Sequence, residues 1–433
     1  MFLKRLTAVI LVCFVNHIIS FAQQKTGNLL ATLLQKDTSA AVRKVISDPL
    51  TYRLQIIYTQ IDRDKYNNPS FKNYYFNVDG NTYFNPASTV KLPLALLSLE
   101  KLNSIHINGV DKYATLLTDS TYSKQTTAYT DSTSKNYLPS LAHYIKKAFL
   151  ISDNDAYNRM YEFVGQQTIN RQLHNKGYTD IRITRRFTGM NEDENRHTNA
   201  IRFVDENNKL LYTQPAAYNT DSFDFSHIVK MGNAYYDRND SLIHKPIDFT
   251  KANNLPLESL QQLLQSALFP ASVPKQQRFN LSKDDYDFLY QYLSQYPSET
   301  NYPKYDTAHY YDSYVKFYFQ NEGHQMPKDV RVFNKVGWAY GFMTDVSYVV
   351  DFSSKTEFML TATIYVNSDG ILNDNKYDYD SIGVPFMYRL GQLVYNYDKQ
   401  RSREFKPDLK KFMINYEKRD PTDIRPLIKD ADN

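Results

Sequence analysis

The chain has 433 residues, of which 51 are Lys or Arg and 47 are Asp or Glu. This near-neutral balance, with no block of like charge, argues against nucleic acid or an anionic membrane surface as a partner. The only cysteine is Cys13, so the sequence predicts no disulfide and a fold that depends on its apolar core.

The first 22 residues have the three-part pattern of a secretory signal peptide. Lys4 and Arg5 precede an apolar run, Leu6–Val15, and the small residue Ala22 follows. The apolar run is too short and too interrupted to span a membrane comfortably. We therefore expect cleavage after Ala22, no membrane insertion of the mature chain over residues 23–433, and a periplasmic or secreted location.

The predicted elements follow in chain order. A helix is expected over Gly27–Val45, and strands are expected over 51–59 and 71–77, before a long apolar helix that begins at Ser88. A long loop is expected over 185–225. Further helices are predicted at 138–149, 154–164, 255–268, 282–294 and 383–397, and further strands at 330–336, 345–351 and 357–366.

Strands at both ends of the chain therefore flank a helical middle, which argues against a parallel sheet. The fold class expected is α+β, an α/β sandwich with one antiparallel sheet covered by terminal helices. In this arrangement the sheet lobe covers about 50–85 and 330–400, and an inserted all-helical lobe covers about 86–329. A cleft would lie between the two lobes.

One S-x-x-K motif stands out among the five in the chain. Ser88 and Lys91 lie on one face of a helix, one turn apart, so the lysine can act as a base towards the hydroxyl. This pair alone begins a strongly apolar helix directly after a predicted β-hairpin. Any S-x-x-K by itself is more often a solvated face, so this sequence context makes Ser88 the candidate nucleophile.

Two later motifs add polar groups to the predicted cleft. Ser152-Asp153-Asn154 lies between two predicted helices, although helix capping alone would also explain such residues. Lys335-Val336-Gly337 lies on a predicted strand, where the ammonium can project into the cleft and the glycine allows close approach of the backbone to a ligand.

This order of motifs resembles the class A β-lactamases and penicillin-binding proteins, whose signature is S-x-x-K, S-D-N and K-T-G. Longer segments resemble the family too, and the resemblance covers about residues 50–400, with insertions between 190 and 330. They are AFLISDNDAYNRMYEFVGQQTINRQLHNKGYTD, LESLQQLLQSALFP and KVGWAYGFMTDVSYVVDF. The resemblance implies the expected fold and an enzyme that forms an acyl-serine.

The resemblance also implies a role for each motif residue. Ser88 would attack an amide or lactam carbonyl, and Lys91 would help to remove its proton. Ser152 would relay a proton to the leaving nitrogen, and Asn154 would bind the amide of the substrate's side chain. Lys335 would hold both Ser152 and a substrate carboxylate electrostatically.

By the same resemblance, the backbone amides of Ser88 and Trp338 would form the oxyanion hole, beside Gly337. Two features depart from the family. Val336 replaces the threonine of K-T-G, so a hydroxyl that would bind a substrate carboxylate is missing. No arginine is present on the 344–351 strand, where the family often has a second carboxylate clamp.

The active-site loop is also unusual. Family members that deacylate efficiently carry a glutamate followed, four residues later, by an asparagine, and the corresponding alignment here puts Phe187 in the glutamate position. Glu192 and Glu194 are candidate deacylation bases without that spacing, and two solvated loop carboxylates are the alternative interpretation.

Three functions remain open at this stage. The first is β-lactamase-type hydrolysis of β-lactams or related amides and esters. The second is a penicillin-binding DD-peptidase acting on cell-wall peptides, and the third is a slowly acylated β-lactam-binding or sensor module without turnover. The expected ligand is thus a small β-lactam or a peptide-like molecule. The sequence gives no sign of a metal or cofactor and does not reveal the oligomeric state.

Overall fold

The computed structural model describes residues 29–430. The predicted signal peptide, with its cleavage after Ala22, lies outside the described residues. Within the described part of the chain, no helix is both long and apolar enough to cross a membrane.

Helices and strands alternate irregularly along the chain. In residues 29–430 the α-helices are α1 (29–36), α2 (Ala40–Ile46), α3 (Lys91–Asn103), α4 (Leu141–Leu150), α5 (Asn154–Val164), α6 (Gln166–Asn175), α7 (Glu192–Arg196), α8 (Leu257–Leu268), α9 (Lys283–Ser294) and α10 (Val384–Gln400). The strands are β1 (Gln55–Arg63), β2 (Pro69–Phe76), β3 (Thr115–Thr118), β4 (His197–Thr198), β5 (Ile201–Val204), β6 (Leu210–Gln214), β7 (Ala217–Tyr218), β8 (Lys230–Met231), β9 (Ala234–Tyr236), β10 (Leu242–Ile243), β11 (Ile247–Asp248), β12 (Val330–Ala339), β13 (Phe342–Asp351), β14 (Thr356–Tyr365) and β15 (Ile371–Leu372).

The main sheet combines strands from both ends of the chain. Its five strands lie in the order β12-β13-β14-β1-β2, and each neighbouring pair is antiparallel. Register is set by long apolar strands: Tyr58 on β1 lies opposite Leu360 on β14, and Lys335 on β12 lies opposite Val346 on β13. Because β12 is an edge strand, its free side is open to the helical lobe.

Helices cover both faces of this sheet. On one face α2 and α10 bury an apolar cluster that includes Val332 and Val336 of β12. On the other face a larger cluster packs around α3, and it includes Phe333. Every residue of α3 from Lys91 to Leu99 is buried, and each buried leucine contributes about 1.5–3 kcal/mol. The helix that carries Lys91 is therefore held firmly in the core.

The predicted α+β class, with an antiparallel sheet built from both chain ends and flanked by helices, is confirmed. The helix predicted over Gly27–Val45 is divided in two, because Asp37 accepts a hydrogen bond from the amide of Ser39, which in turn caps α2. The region 185–225 contains α7 and four short strands. The lobe predicted to be all-helical thus carries small sheets as well, and their strands are too short for an alternating pattern to be recognised.

Candidate active site

Ser88 lies on a turn of 3-10 helix, Ala87–Val90, that leads directly into α3. The turn is held by short contacts: Asn85 accepts a hydrogen bond from the amide of Ala87, and the Thr89 hydroxyl donates to the carbonyl of Pro86 at 2.6 Å. Ala87 has a φ of +42°, an unfavourable value for a residue with a side chain. Such strain is characteristic of functional sites, and here it directly precedes a half-buried serine.

Lys91 is fully buried at the first turn of α3. Its Nζ lies 2.7 Å from the Ser88 Oγ, 2.8 Å from the Asn154 Oδ1 and 3.3 Å from the Ser152 Oγ, and it also donates to the carbonyl of Ser152. The S-x-x-K spacing thus brings the amine to the serine hydroxyl, and the S-D-N loop surrounds the same amine.

The S-D-N loop joins α4 to α5. Ser152 has a φ of +68°, and Asp153 caps α5 by accepting a hydrogen bond from the amide of Ala156 at 2.7 Å. The capping interpretation therefore holds for Asp153, while its two neighbours contact Lys91. Burial, opposed by the charge of Lys147, raises the pKa of Asp153.

Lys335 approaches Ser152 from the opposite wall. Its Nζ lies 2.8 Å from the Ser152 Oγ and also donates to the carbonyl of Val336 at 2.8 Å. Burial holds the pKa of Lys335 well below its usual range, and the nearby charge of Lys91 lowers it further. The Ser152 hydroxyl therefore lies between two buried amines, one of which contacts Ser88.

Gly337 brings β12 against the nucleophile turn. A Cβ placed on it would lie 2.6 Å from the Pro86 carbonyl oxygen and 2.9 Å from the amide nitrogens of Ser88 and Thr89. Only glycine allows this approach, which places the backbone after Gly337, at Trp338, beside the Ser88 turn. Val336 is fully buried among apolar side chains on the other face of the sheet, so a hydroxyl at this position would not line the pocket.

A buried polar network supports β12 from behind. The Asn334 amide donates to the Asp345 Oδ1 at 2.9 Å, and its oxygen accepts from Lys316 at 2.5 Å. Lys316 also donates to the carbonyls of Leu293 and Val332. Burial lowers the pKa of Lys316 and raises that of Asp345, each to about 7. This network fixes the part of β12 that leads to Lys335.

The Ser88 hydroxyl opens into a pocket of about 400 Å³ between the two lobes. The pocket thus lies in the cleft expected from the sequence. It is lined by Asn85, Ala87, Ser88, Ile151, Ser152, Asn154, Arg185, Arg186, Phe187, Thr188, Ala252, Asn253, Tyr314, Trp338, Ala339 and Tyr340.

Comparison with known proteins finds one matching family. Residues 40–218, which include the Ser88 turn and the S-D-N loop, match the family described as "Beta-lactamase enzyme family". Over these residues the chain is similar to the β-lactamase enzyme family. The resemblance expected from the sequence is confirmed.

No curated protein matches the chain. Among solved structures, the chromosome-encoded β-lactamase of Vibrio parahaemolyticus is 14% identical with a TM-score of 0.47, covering 83% of this chain and 98% of its own. A β-lactamase from Desulfarculus baarsii DSM 2075 is 14% identical with a TM-score of 0.45, covering 86% and 97%. A class A β-lactamase from Mycobacterium abscessus is 12% identical with a TM-score of 0.42, covering 86% and 98%.

The two candidate deacylation bases are engaged in other contacts. Glu192 forms an exposed ion pair with Lys251 at 2.7 Å, and this hydrogen bond lowers the pKa of its carboxyl. Glu194 closes a capping box with the amide of Asn191, which lowers its pKa, and it also pairs with Lys124 at 3.0 Å. Neither glutamate lines the pocket.

Phe187 lines the pocket close to Lys91. Its ring centroid is 5.2 Å from the Lys91 Nζ, and its ring stacks on Tyr157 at 4.3 Å. The amide of Phe187 donates to the Asn158 side chain at 2.8 Å, which fixes this part of the loop. Among the described residues that line the pocket, none is an aspartate or a glutamate.

Other groups that shape this pocket were not found from the sequence. Arg186 is buried and joins the loop to Glu162 on α5 at 3.3 Å, and Asn253 accepts hydrogen bonds from the amides of Thr184 and Arg185. Arg185 is exposed at the pocket wall. None of these residues belongs to a short motif, so only the folded chain brings them to the pocket.

Proposed function

We propose that the chain is a serine hydrolase that forms an acyl-enzyme on Ser88 with a β-lactam or a related amide or ester. The supporting observation is a half-buried hydroxyl at 2.7 Å from a fully buried lysine, open to a pocket between the lobes. A buried amine beside a hydroxyl is a recognised means of activating a serine nucleophile.

The hydrogen-bond partners of Lys91 are consistent with a base. The carbonyl of Ser152 and the Oδ1 of Asn154 can only accept, so two N–H groups of the amine are directed to them. In an uncharged amine the remaining lone pair is then available to the Ser88 hydroxyl. Both amines are buried around the same Ser152 hydroxyl, so a charge on one disfavours a charge on the other.

Acylation then proceeds by proton transfer around this cluster. As the Ser88 Oγ bonds to the carbonyl carbon, its proton passes to Lys91. The carbon–nitrogen bond breaks, and the leaving nitrogen receives a proton from the Ser152 hydroxyl, which is replenished from Lys91. The amides of Ser88 and Trp338 stabilise the oxyanion, since both residues line the pocket where β12 meets the nucleophile turn.

Hydrolysis of the acyl-enzyme is proposed to be slow. A base must reach a water molecule beside the acylated serine, and no described pocket-lining residue supplies a carboxylate. Phe187 presents an apolar ring near Lys91 instead. Glu192 and Glu194, with lowered pKa values and their own partners, are weak candidates for this role.

Stopped-flow absorbance with nitrocefin tests this proposal. We expect a burst of product equal to the enzyme concentration, followed by a slow steady state. Ser88→Ala should abolish both phases and also labelling by a fluorophosphonate. Fast turnover without a burst would contradict slow deacylation, and labelling of Ser88→Ala would contradict the choice of nucleophile.

We further propose that the protein is exported and acts outside the cytoplasm, on the basis of its N-terminal pattern. Mass spectrometry of the protein from cell fractions should give a mature N-terminus at Gln23 in the exported fraction. An intact N-terminus on a cytoplasmic protein would contradict this proposal.

A further inference from the structure

A second cavity adjoins the catalytic pocket. Its volume is about 700 Å³, larger than the pocket around Ser88. The two cavities share Tyr314, Trp338, Ala339 and Tyr340, so they meet at the end of β12. A molecule bound at Ser88 can therefore extend into the second cavity.

Aromatic side chains dominate this second cavity, which we call the tyrosine groove. Beyond the shared wall its lining includes Tyr311, Phe317, Met343, Tyr377 and Tyr379. Several of these rings are fixed before any ligand binds. The Tyr377 hydroxyl accepts from the amide of Asn373 and the Tyr379 hydroxyl from the amide of Gly341, both at 2.8 Å. Ordered, half-buried rings bind another ring with little loss of conformational freedom.

One polar side chain in the lining of the groove is that of Gln320. Gln320 donates its side-chain amide to the hydroxyl of Tyr311, while its Oε1 is buried and has no hydrogen-bond partner within the described residues. Polar groups within an aromatic wall are typical of a binding site rather than of a packing defect.

The position of the groove indicates which part of a substrate it would receive. Asn154, Phe187 and Asn253 line the catalytic pocket but not the groove. By the resemblance described above, Asn154 would bind the amide of the acyl side chain. The groove thus lies towards the other end of the substrate, beyond the scissile bond.

We propose that the tyrosine groove is a subsite for an aromatic substituent carried on the leaving-nitrogen side of the substrate. This assignment rests on the proposed function, because the catalytic pocket defines which end of the substrate is which. It makes the enzyme selective for lactams or amides whose leaving portion bears a conjugated or aryl group.

Calorimetric titration of the full-length Ser88→Ala protein tests this subsite without any bond being broken. Nitrocefin and cephalothin carry the same thienylacetyl side chain, and only nitrocefin has an aromatic substituent on the ring that contains the leaving nitrogen. We expect Tyr377→Ala to weaken nitrocefin binding about fivefold to tenfold, as the loss of a ring contact does, and to change cephalothin binding less than twofold. Tyr66→Ala, which removes an exposed tyrosine outside both cavities, is the matched control.

An equal effect of Tyr377→Ala on both lactams, or no effect on either, would overturn the proposal. Absence of measurable nitrocefin binding to the Ser88→Ala protein would overturn it as well. A different result would contradict the proposed function: the absence of any adduct on Ser88 of the wild-type protein with either lactam. Tyr377→Phe, which keeps the ring, should restore nitrocefin affinity, and a failure to do so would also contradict the ring contact.

Discussion

Gly337→Ala should impair acylation far more than it impairs folding. The added methyl would lie 2.6 Å from the Pro86 carbonyl oxygen and 2.9 Å from the amide nitrogens of Ser88 and Thr89. All three are backbone atoms, so β12 and the nucleophile turn must separate by about 0.5–1 Å to reach ordinary van der Waals contact. A misplacement of about 1 Å at a reacting centre costs roughly a hundredfold in rate.

The assay is the rate of fluorophosphonate labelling at Ser88, together with the midpoint of urea denaturation. We expect labelling of Gly337→Ala to slow by about a hundredfold, with a loss of stability of about 1–3 kcal/mol, as for other overpacked sites. Gly80→Ala is the control, because an added methyl there meets no atom within 4 Å. Labelling of Gly337→Ala at the wild-type rate would refute the reasoning that links this glycine to the nucleophile.

Three further predictions follow from the pocket and its supports. Phe187→Glu should raise the steady-state turnover of nitrocefin by about 10²-fold or more over Phe187→Gln, because only the carboxylate is a base; equal stopped-flow rates for the two variants would contradict this. Burial raises the pKa of Asp345 to about 7, so the folded protein holds a proton that the unfolded chain releases at the ordinary aspartate pKa of 3.8. The stability of wild type relative to Asp345→Asn, from urea denaturation, should therefore fall as the pH rises from about 4 to about 7, and a constant difference would be inconsistent with that proton. Arg186→Ala should cost about 3–5 kcal/mol of stability, because it removes a buried partner of Glu162. Arg171→Ala, which breaks an exposed pair, is the control and should cost less than about 1 kcal/mol. Similar thermal denaturation midpoints for the two variants would argue against a stabilising role of the buried pair.

The local motifs could be located from the sequence because each depends on short-range geometry. Ser88 and Lys91 are three residues apart at the start of an apolar helix, so their contact follows from helical spacing. Lys335 and Gly337 lie two apart on a strand and thus share a face. The same alternation directs Val336 to the opposite face, where it packs beneath α10, so its lack of a hydroxyl does not alter the pocket.

Other parts of the site depend on contacts between distant segments. Asn334 joins Lys316 to Asp345 only after β12 pairs with β13, and none of the three has a motif. The tyrosine groove combines residues before β12 with residues after β14, such as Tyr311 and Tyr377. In a chain with 37 tyrosines, no local pattern distinguishes those that line a cavity from those that cover the surface.

The central claim is that Ser88 is acylated and that the acyl-enzyme persists. Intact-mass spectrometry after brief mixing with benzylpenicillin tests it most directly, with peptide mapping of any adduct. We expect the wild-type protein to gain the mass of one penicillin, located on the peptide that contains Ser88, and Ser88→Ala to gain none. An unmodified wild-type protein, or an adduct that survives in Ser88→Ala, would contradict the account.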